Sequence, residues 1–234
     1  ATQECTEYKD IWTEFNTRRK TWAMRQDQLS STHPIAQDVK DIDTANNNFD
    51  GITYAKGASV LMQFVAYVGR ENFMRGLQKY FAKHAYKNTT LADLLIEMAA
   101  TSGRDLTAWS ATWLETAGVN TLRPSLKVVD GVYTAVGIIQ EAPTMPAGST
   151  ELRPHRMAIG LYDLRHGVIL RRRSVELDVT GALTQVPELI GEKVADLVLL
   201  NDGDMTYAKV RFDEGSLETL MNHLGKIGDS LVRA

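Results

Sequence analysis

Apolar residues recur at two different periods along this chain, and the change of period divides it. From Tyr8 onward, Ile11, Trp12, Phe15 and Trp22 fall on one face of a helix whose other face carries Lys9, Asp10, Arg18 and Lys20, which predicts a helix over residues 6 to 28. The run "SSTHPIAQDVKDIDTANNNFDG" has a proline, many Asx residues and no helical period; it predicts a loop with an extended piece near Ile35. Helical spacing returns at Val60, Leu61, Phe64, Val65 and Val68, and again at Phe73, Leu77, Tyr80 and Phe81, with Gly69 between the two runs. "NTTLADLLIEMAATSG" opens on Thr90 with Asp93 three residues later, as in a capping box, and closes on Gly103. "RDLTAWSATWLETAGV" repeats that grammar, with Asp105 as N-cap, Trp109 and Trp113 on one face and Gly118 as the stop.

Near Arg123 and Pro124 the period drops from 3.6 to 2. "SLKVVDGVYTAVGIIQ" alternates on either side of Asp130-Gly131, a strong two-residue hairpin signal, and "HRMAIGLYDLRHGVILRRRSVELDVTG" has the same form around "RHG". "VADLVLLNDGDMTYAKVRF" predicts two more strands across an Asx-Gly turn. About six or seven short antiparallel strands in this space point to a β-sandwich of immunoglobulin type. From Ser216, "SLETLMNHLGKIGDSLVRA" is helical again, with an apolar face expected to lack a partner within the chain. The expected class is therefore α+β and multidomain: a helical unit over residues 1–119, a β-sandwich over residues 120–214, and the start of a further helical region over residues 215–234.

Composition narrows the chemistry mainly by exclusion. A net charge of −3 on 234 residues gives no electrostatic pull towards nucleic acid or an anionic membrane, so neither is an expected partner. No stretch reaches the roughly 20 apolar residues of a membrane span, and the first residues carry charge instead of a leader's apolar run. The one cysteine, Cys5, excludes an internal disulfide and fits a reducing compartment, so a cytoplasmic location is expected. The start on a helix without an initiating Met suggests a fragment of something longer. The five histidines, His33, His84, His155, His166 and His223, form no pair at i, i+4 and belong to no H-E-x-x-H, and C-x-x-C is absent. They read as surface or hydrogen-bonded histidines, and the chain is expected to bind no metal itself. No G-x-S-x-G elbow occurs. The run Arg171 to Arg173 reads as a solvated strand edge or an interdomain contact, and "NDGD", residues 201–204, as a turn, because the 12-residue calcium pattern is missing.

One short stretch is left with chemistry to explain. In "FDGITYAKG", residues 49–57, Asp50-Gly51 allows a sharp approach, Thr53 can cap, and Gly57 with Ala58 leaves a bare helix surface; Tyr54 stands at the helix mouth. Taken alone, such a tyrosine is more often a packed aromatic with its hydroxyl in water. The F-D-x-I-x-Y-x-K-G spacing, however, resembles the segment of zinc-dependent aminopeptidases of the aminopeptidase N type that holds their catalytic tyrosine. "TWAMRQDQLSSTHPI", "GRDLTAWSATWLETAGVNTLRP" and "LLNDGDMTYAKVRFDEGSLETL" resemble that family in the same order, closest to its actinobacterial branch.

The resemblance implies the helical back half of a thermolysin-like catalytic domain, then a small β-sandwich, then a large helical domain. It implies zinc and peptide substrates in the intact enzyme. The family's zinc ligands and its G-x-M-E-N segment lie before the matching region and are not in this sequence. Of the catalytic set, only Tyr54 carries over. It would donate a hydrogen bond to the oxyanion that develops in peptide hydrolysis, since a phenol keeps its proton at neutral pH. Lys56 and Gly57 are expected to support it, Lys56 either solvated or paired to a carboxylate. The fragment alone is expected to be inactive, its missing partners being the N-terminal zinc-binding part and the C-terminal helical domain. The alternative is a non-catalytic interaction module of helices and sandwich.

Overall fold

In the computed structural model, which describes residues 2–234, a short helix α1 (Thr2–Cys5) precedes a continuous rod of three pieces. These are α2 (Ile11–Glu14), a π-helical turn (Phe15–Lys20) and α3 (Thr21–Gln26). Residues 6–10 do not join the rod as the apolar period predicts; there the Thr6 hydroxyl accepts from the backbone of Tyr8 at 3.2 Å and holds a local turn instead. A π turn inserts one residue, so everything after it rotates by about 100° around the axis relative to an α-helical face. Lys20, at the end of this turn, and Ala23, beyond it, are buried, while Trp12 and Trp22 stay partly exposed.

The loop predicted after this rod contains a helix, α4 (Ile42–Asn47), nucleated by Asp41, whose carboxylate accepts from Thr44 N at 2.7 Å. It has little apolar pattern because Ile42 faces water. Near Ile35 no strand forms, although Ala36 N donates to Leu114 O at 2.8 Å. A second π-helical turn (Ile52–Lys56) runs into α5 (Gly57–Val68), and Gly69, at φ 84°, makes the break before α6 (Arg70–His84) that the sequence predicts. In α7 (Leu91–Ser102) Asp93 reaches back to the Thr90 backbone at 2.8 Å, and Gly103 closes the helix in the left-handed region. Helix α8 (Thr107–Leu114) has Leu106 and not the expected Asp105 at its N-cap, Asp105 Oδ1 accepting from Thr107 N at 2.9 Å one residue further out, and it ends four residues before Gly118, which instead turns the chain towards the sandwich. Val60, Phe64, Val68, Met98, Trp109 and Trp113 form the core of this unit, with Trp109 at 4.8 Å from the Phe64 ring.

Two sheets follow, one in the order β5-β2-β1-β7 and one in the order β4-β3-β6. The strands are β1 (Thr121–Val129), β2 (Val132–Glu141), β3 (His155–Arg165), β4 (Val168–Val179), β5 (Leu183–Gln185), β6 (Leu197–Leu200) and β7 (Lys209–Val210). Both predicted two-residue turns are present, at Asp130-Gly131 and His166-Gly167, each with two successive positive φ values. The expected pairing across "NDGD" is not: β6 joins β3, whereas β7 lies parallel to β1 in the other sheet. The turn at residues 201–204 carries the chain between sheets, held by Asn201 Oδ1 accepting from Thr206 N at 2.9 Å. The Arg171 to Arg173 run lies on edge strand β4, and each guanidinium pairs within the sandwich, Arg171 with Asp202, Arg172 with Asp163 and Arg173 with Glu192.

The last helices correct one expectation. Helix α9 (Glu214–His223) is not left without a partner: it docks on β6, where Ser216 Oγ accepts from Val198 N at 2.8 Å. Leu220 and Val232, the latter on α10 (Ser230–Arg233), pack against Tyr162, Ile169, Leu197 and Ile227. Strand β3 is accordingly buried on both faces, by the sandwich core on one side and by helices on the other.

Candidate functional site

The segment around Tyr54 is fixed at its start by groups from two places in the chain. Asp50 Oδ1 accepts from the backbone N–H of Ile52 and of Thr53, each at 3.0 Å, and Gln26 Oε1 accepts from Gly51 N at 2.6 Å. The amides of residues 51–53, which a helix start leaves without intrahelical partners, are thus all matched. Asp50, and not Thr53 as the sequence suggested, is the capping side chain; an Asp two and three residues ahead of free amides reaches both. The close approach expected at Gly51 is present, because a Cβ there would stand 2.4 Å from Gln26 Oε1 and 3.0 Å from the Trp22 ring. A Cβ added at Gly57 would meet the Ile35 side chain at 3.9 Å and Ile52 O at 4.0 Å, both ordinary contacts, so the surface it leaves bare is not closely approached.

Tyr54 sits in the middle of the π-helical turn, 55% exposed, its ring tilted against Phe49 at a centroid distance of 5.8 Å. Its backbone N–H donates to Asp50 O at 3.2 Å. Behind the cap stands His33: its Nε2 lies 2.9 Å from Asp50 Oδ2, and its Nδ1 lies 2.8 Å from Pro34 O and 3.2 Å from Gln37 Nε2. Sequence reasoning set His33 aside because nothing local ties it to Asp50; the pairing spans 17 residues of loop.

Lys56 closes the same turn on its buried side. Its ammonium is 2.9 Å from Asp27 Oδ2, donates to Gly118 O at 3.2 Å and lies 5.7 Å from the Tyr207 ring centroid. Of the two expected fates, pairing to a carboxylate is the observed one. Burial pushes the Lys56 ammonium down to about 8; Asp27 opposes that shift and the Arg153 guanidinium adds to it. Asp27 Oδ1 also accepts from Gly118 N at 2.8 Å and from Thr32 Oγ1 at 2.6 Å, so one carboxylate joins the rod, the Tyr54 turn and the entry to the sandwich. Tyr207, from the sandwich, completes the enclosure, its phenol pushed up by burial and by the charge of Asp27.

Chemically, this arrangement presents one exposed phenol on a turn whose backbone is held at both ends. Such a hydroxyl can donate a hydrogen bond to negative charge that develops on a bound molecule, at little cost in reorganisation. Among the described residues, no group of three His, Cys, Asp or Glu side chains could hold a metal ion. Cys5 is exposed at the end of α1.

The chain's relatives carry names that bear on this chemistry. Residues 1–113 match the Peptidase family M1 domain. An aminopeptidase N from Streptomyces lividans is 57% identical over 228 residues, 95% of this chain and 27% of that protein. A tricorn protease-interacting factor F2 from Thermoplasma acidophilum is 37% identical over 222 residues, 94% of this chain and 25% of its own length. A leucyl aminopeptidase from Saccharolobus solfataricus is 36% identical over 117 residues, covering 50% of this chain and 15% of that one. The chain thus spans about a quarter or less of the length of these relatives.

Proposed function

The chain belongs to the aminopeptidase N family, and from that premise we propose that it forms the rear of an aminopeptidase active site, with Tyr54 as its catalytic hydroxyl. The observation that carries the reading is the half-exposed phenol of the F-D-x-I-x-Y-x-K-G segment, standing outside the core on a capped and buried-lysine-anchored turn. The ring leans on Phe49 while the rest of the side chain is turned to solvent, where a peptide bound against this face would meet it.

In this reading the substrates of the intact protein are peptides with a free N-terminus. As the scissile carbonyl is attacked and becomes tetrahedral, its oxygen gains negative charge, and the Tyr54 O–H donates to it. Uniform binding of the substrate would not accelerate the reaction; the bond to Tyr54 does, because it strengthens as charge develops. Zinc would be bound by residues that precede this chain in the intact protein, and the chain alone would not hydrolyse peptides. A cytoplasmic location accompanies the reading; no helix among the described residues is long and apolar enough to cross a membrane. Residues 1–119 would belong to the catalytic domain, 120–214 to the sandwich, and 215–234 to the start of the following helical domain.

The test is Tyr54→Phe in the full-length protein. Turnover of a chromogenic amino-acid amide should fall by about 10²- to 10³-fold, the usual effect of deleting one oxyanion donor. Metal content, measured by atomic absorption, should stay the same. Turnover close to the parent's would sink the assignment.

A further inference from the structure

We infer that His33 is a positioning residue for the Tyr54 hydroxyl, acting through Asp50; the inference rests on the reading of Tyr54 given above. The Asp50 carboxylate divides its two oxygens between two tasks. Oδ1 holds the amides of Ile52 and Thr53, the two residues that lead into Tyr54. Oδ2 meets His33 Nε2 at 2.9 Å, and that contact stops the carboxylate from rotating off the helix start. His33 is itself held from behind, with Nδ1 2.8 Å from the Pro34 carbonyl. Both side chains are mostly buried, at 18% and 15% exposure, so water competes poorly for either partner.

The same contact also closes the loop between residues 33 and 50. Phe49, next to Asp50, lays its ring against the Tyr54 ring at 5.8 Å. His33 therefore governs both things that set where the phenol oxygen stands: the backbone of the turn and the aromatic neighbour that leans on the ring.

A double-mutant cycle in the full-length protein decides the matter, with His33→Ala made alone and together with Tyr54→Phe. Alone, His33→Ala should lower kcat by about tenfold to a hundredfold, the range that a displacement of up to 1 Å at a reacting group produces, with KM moved much less. In the Tyr54→Phe background it should cost no further turnover. His33→Gln, whose amide nitrogen can stand where Nε2 stands, should recover most of the loss. Should His33→Ala melt before assay, His33→Asn replaces it, since its shorter side chain keeps the Pro34 side of the contact and cannot reach Asp50. An equal loss in both backgrounds would overturn the inference, because His33 would then act independently of Tyr54. Full activity in His33→Ala would overturn it as well, while leaving Tyr54 standing if Tyr54→Phe alone is impaired. Unimpaired Tyr54→Phe would remove the assignment of Tyr54 and this inference with it.

Discussion

Lys56 holds a positive charge where no water reaches it, with the Asp27 carboxylate in contact and a backbone carbonyl as its further acceptor. Removing one partner of a buried pair costs more than the pair itself contributes, because the other charge is left desolvated. Lys56→Met should therefore lower the unfolding free energy by about 3–5 kcal/mol in urea titrations at pH 7. Adding Asp27→Asn should recover part of that, since the amide oxygen can still accept from Gly118 while the stranded charge is gone. A loss below about 1 kcal/mol, the value of an exposed pair, would contradict the burial. The motif around Tyr54 made Lys56 legible as a supporting residue. Its partner was not legible, because Asp27 lies on another element and only the packed fold brings it there.

At the scale of elements, what the sequence showed was what short-range chemistry decides. The two Asx- or His-Gly turns, the Asp93 return to Thr90 and the Gly69 and Gly103 breaks all depend on residues within a few positions of each other, and all are present. The π-helical turns are not legible in the sequence because one inserted residue shifts the 3.6 period without any residue type that marks the insertion itself. The destinations of β6 and β7 escaped for a different reason: strand alternation says that a strand exists and not which sheet it enters. Helix α9 is the clearest case. Its partner is a backbone amide of β6, and Ser216 Oγ, which accepts from Val198, also donates to Asp213 Oδ2 at 2.5 Å. Ser216→Ala strands a buried N–H, which should cost about 1–3 kcal/mol. Hydrogen exchange at Val198 should speed up by a matching factor, and unchanged protection there would show that α9 is not held by this bond.

Across the whole molecule, the helical unit and the sandwich meet through buried polar groups, and this joint sets how the protein responds to acid. Lys20 from the rod donates to Asp204 and, at 2.7 Å, to Thr206 O; Arg153, just before β3, donates to Asn120 Oδ1 at 2.9 Å and to the α8 carbonyl of Thr112 at 3.1 Å. At the centre, His155 Nε2 donates to Gln140 Oε1 at 2.9 Å and Nδ1 lies 2.8 Å from Thr206 Oγ1, a hydroxyl able to donate to the neutral ring. Burial, with the nearby charges of Arg153 and Lys20, pushes His155 down to about 3. The unfolded chain binds a proton on this histidine near its ordinary 6.5, so as pH falls below that value the unfolded state gains and stability is lost, down to the folded value. The slope from this one group is about 1.4 kcal/mol per pH unit. Because the groups that surround His155 come from both units, the loss should appear in one cooperative transition and not as release of the sandwich alone. Urea midpoints between pH 7 and pH 4, followed by tryptophan fluorescence for the helical unit and far-ultraviolet dichroism for the whole, should move together. His155→Gln should be less stable at pH 7 yet decline more gently towards pH 4, so that the two curves converge. Parallel curves, or two separate transitions, would mean that His155 does not carry the acid response of the joint.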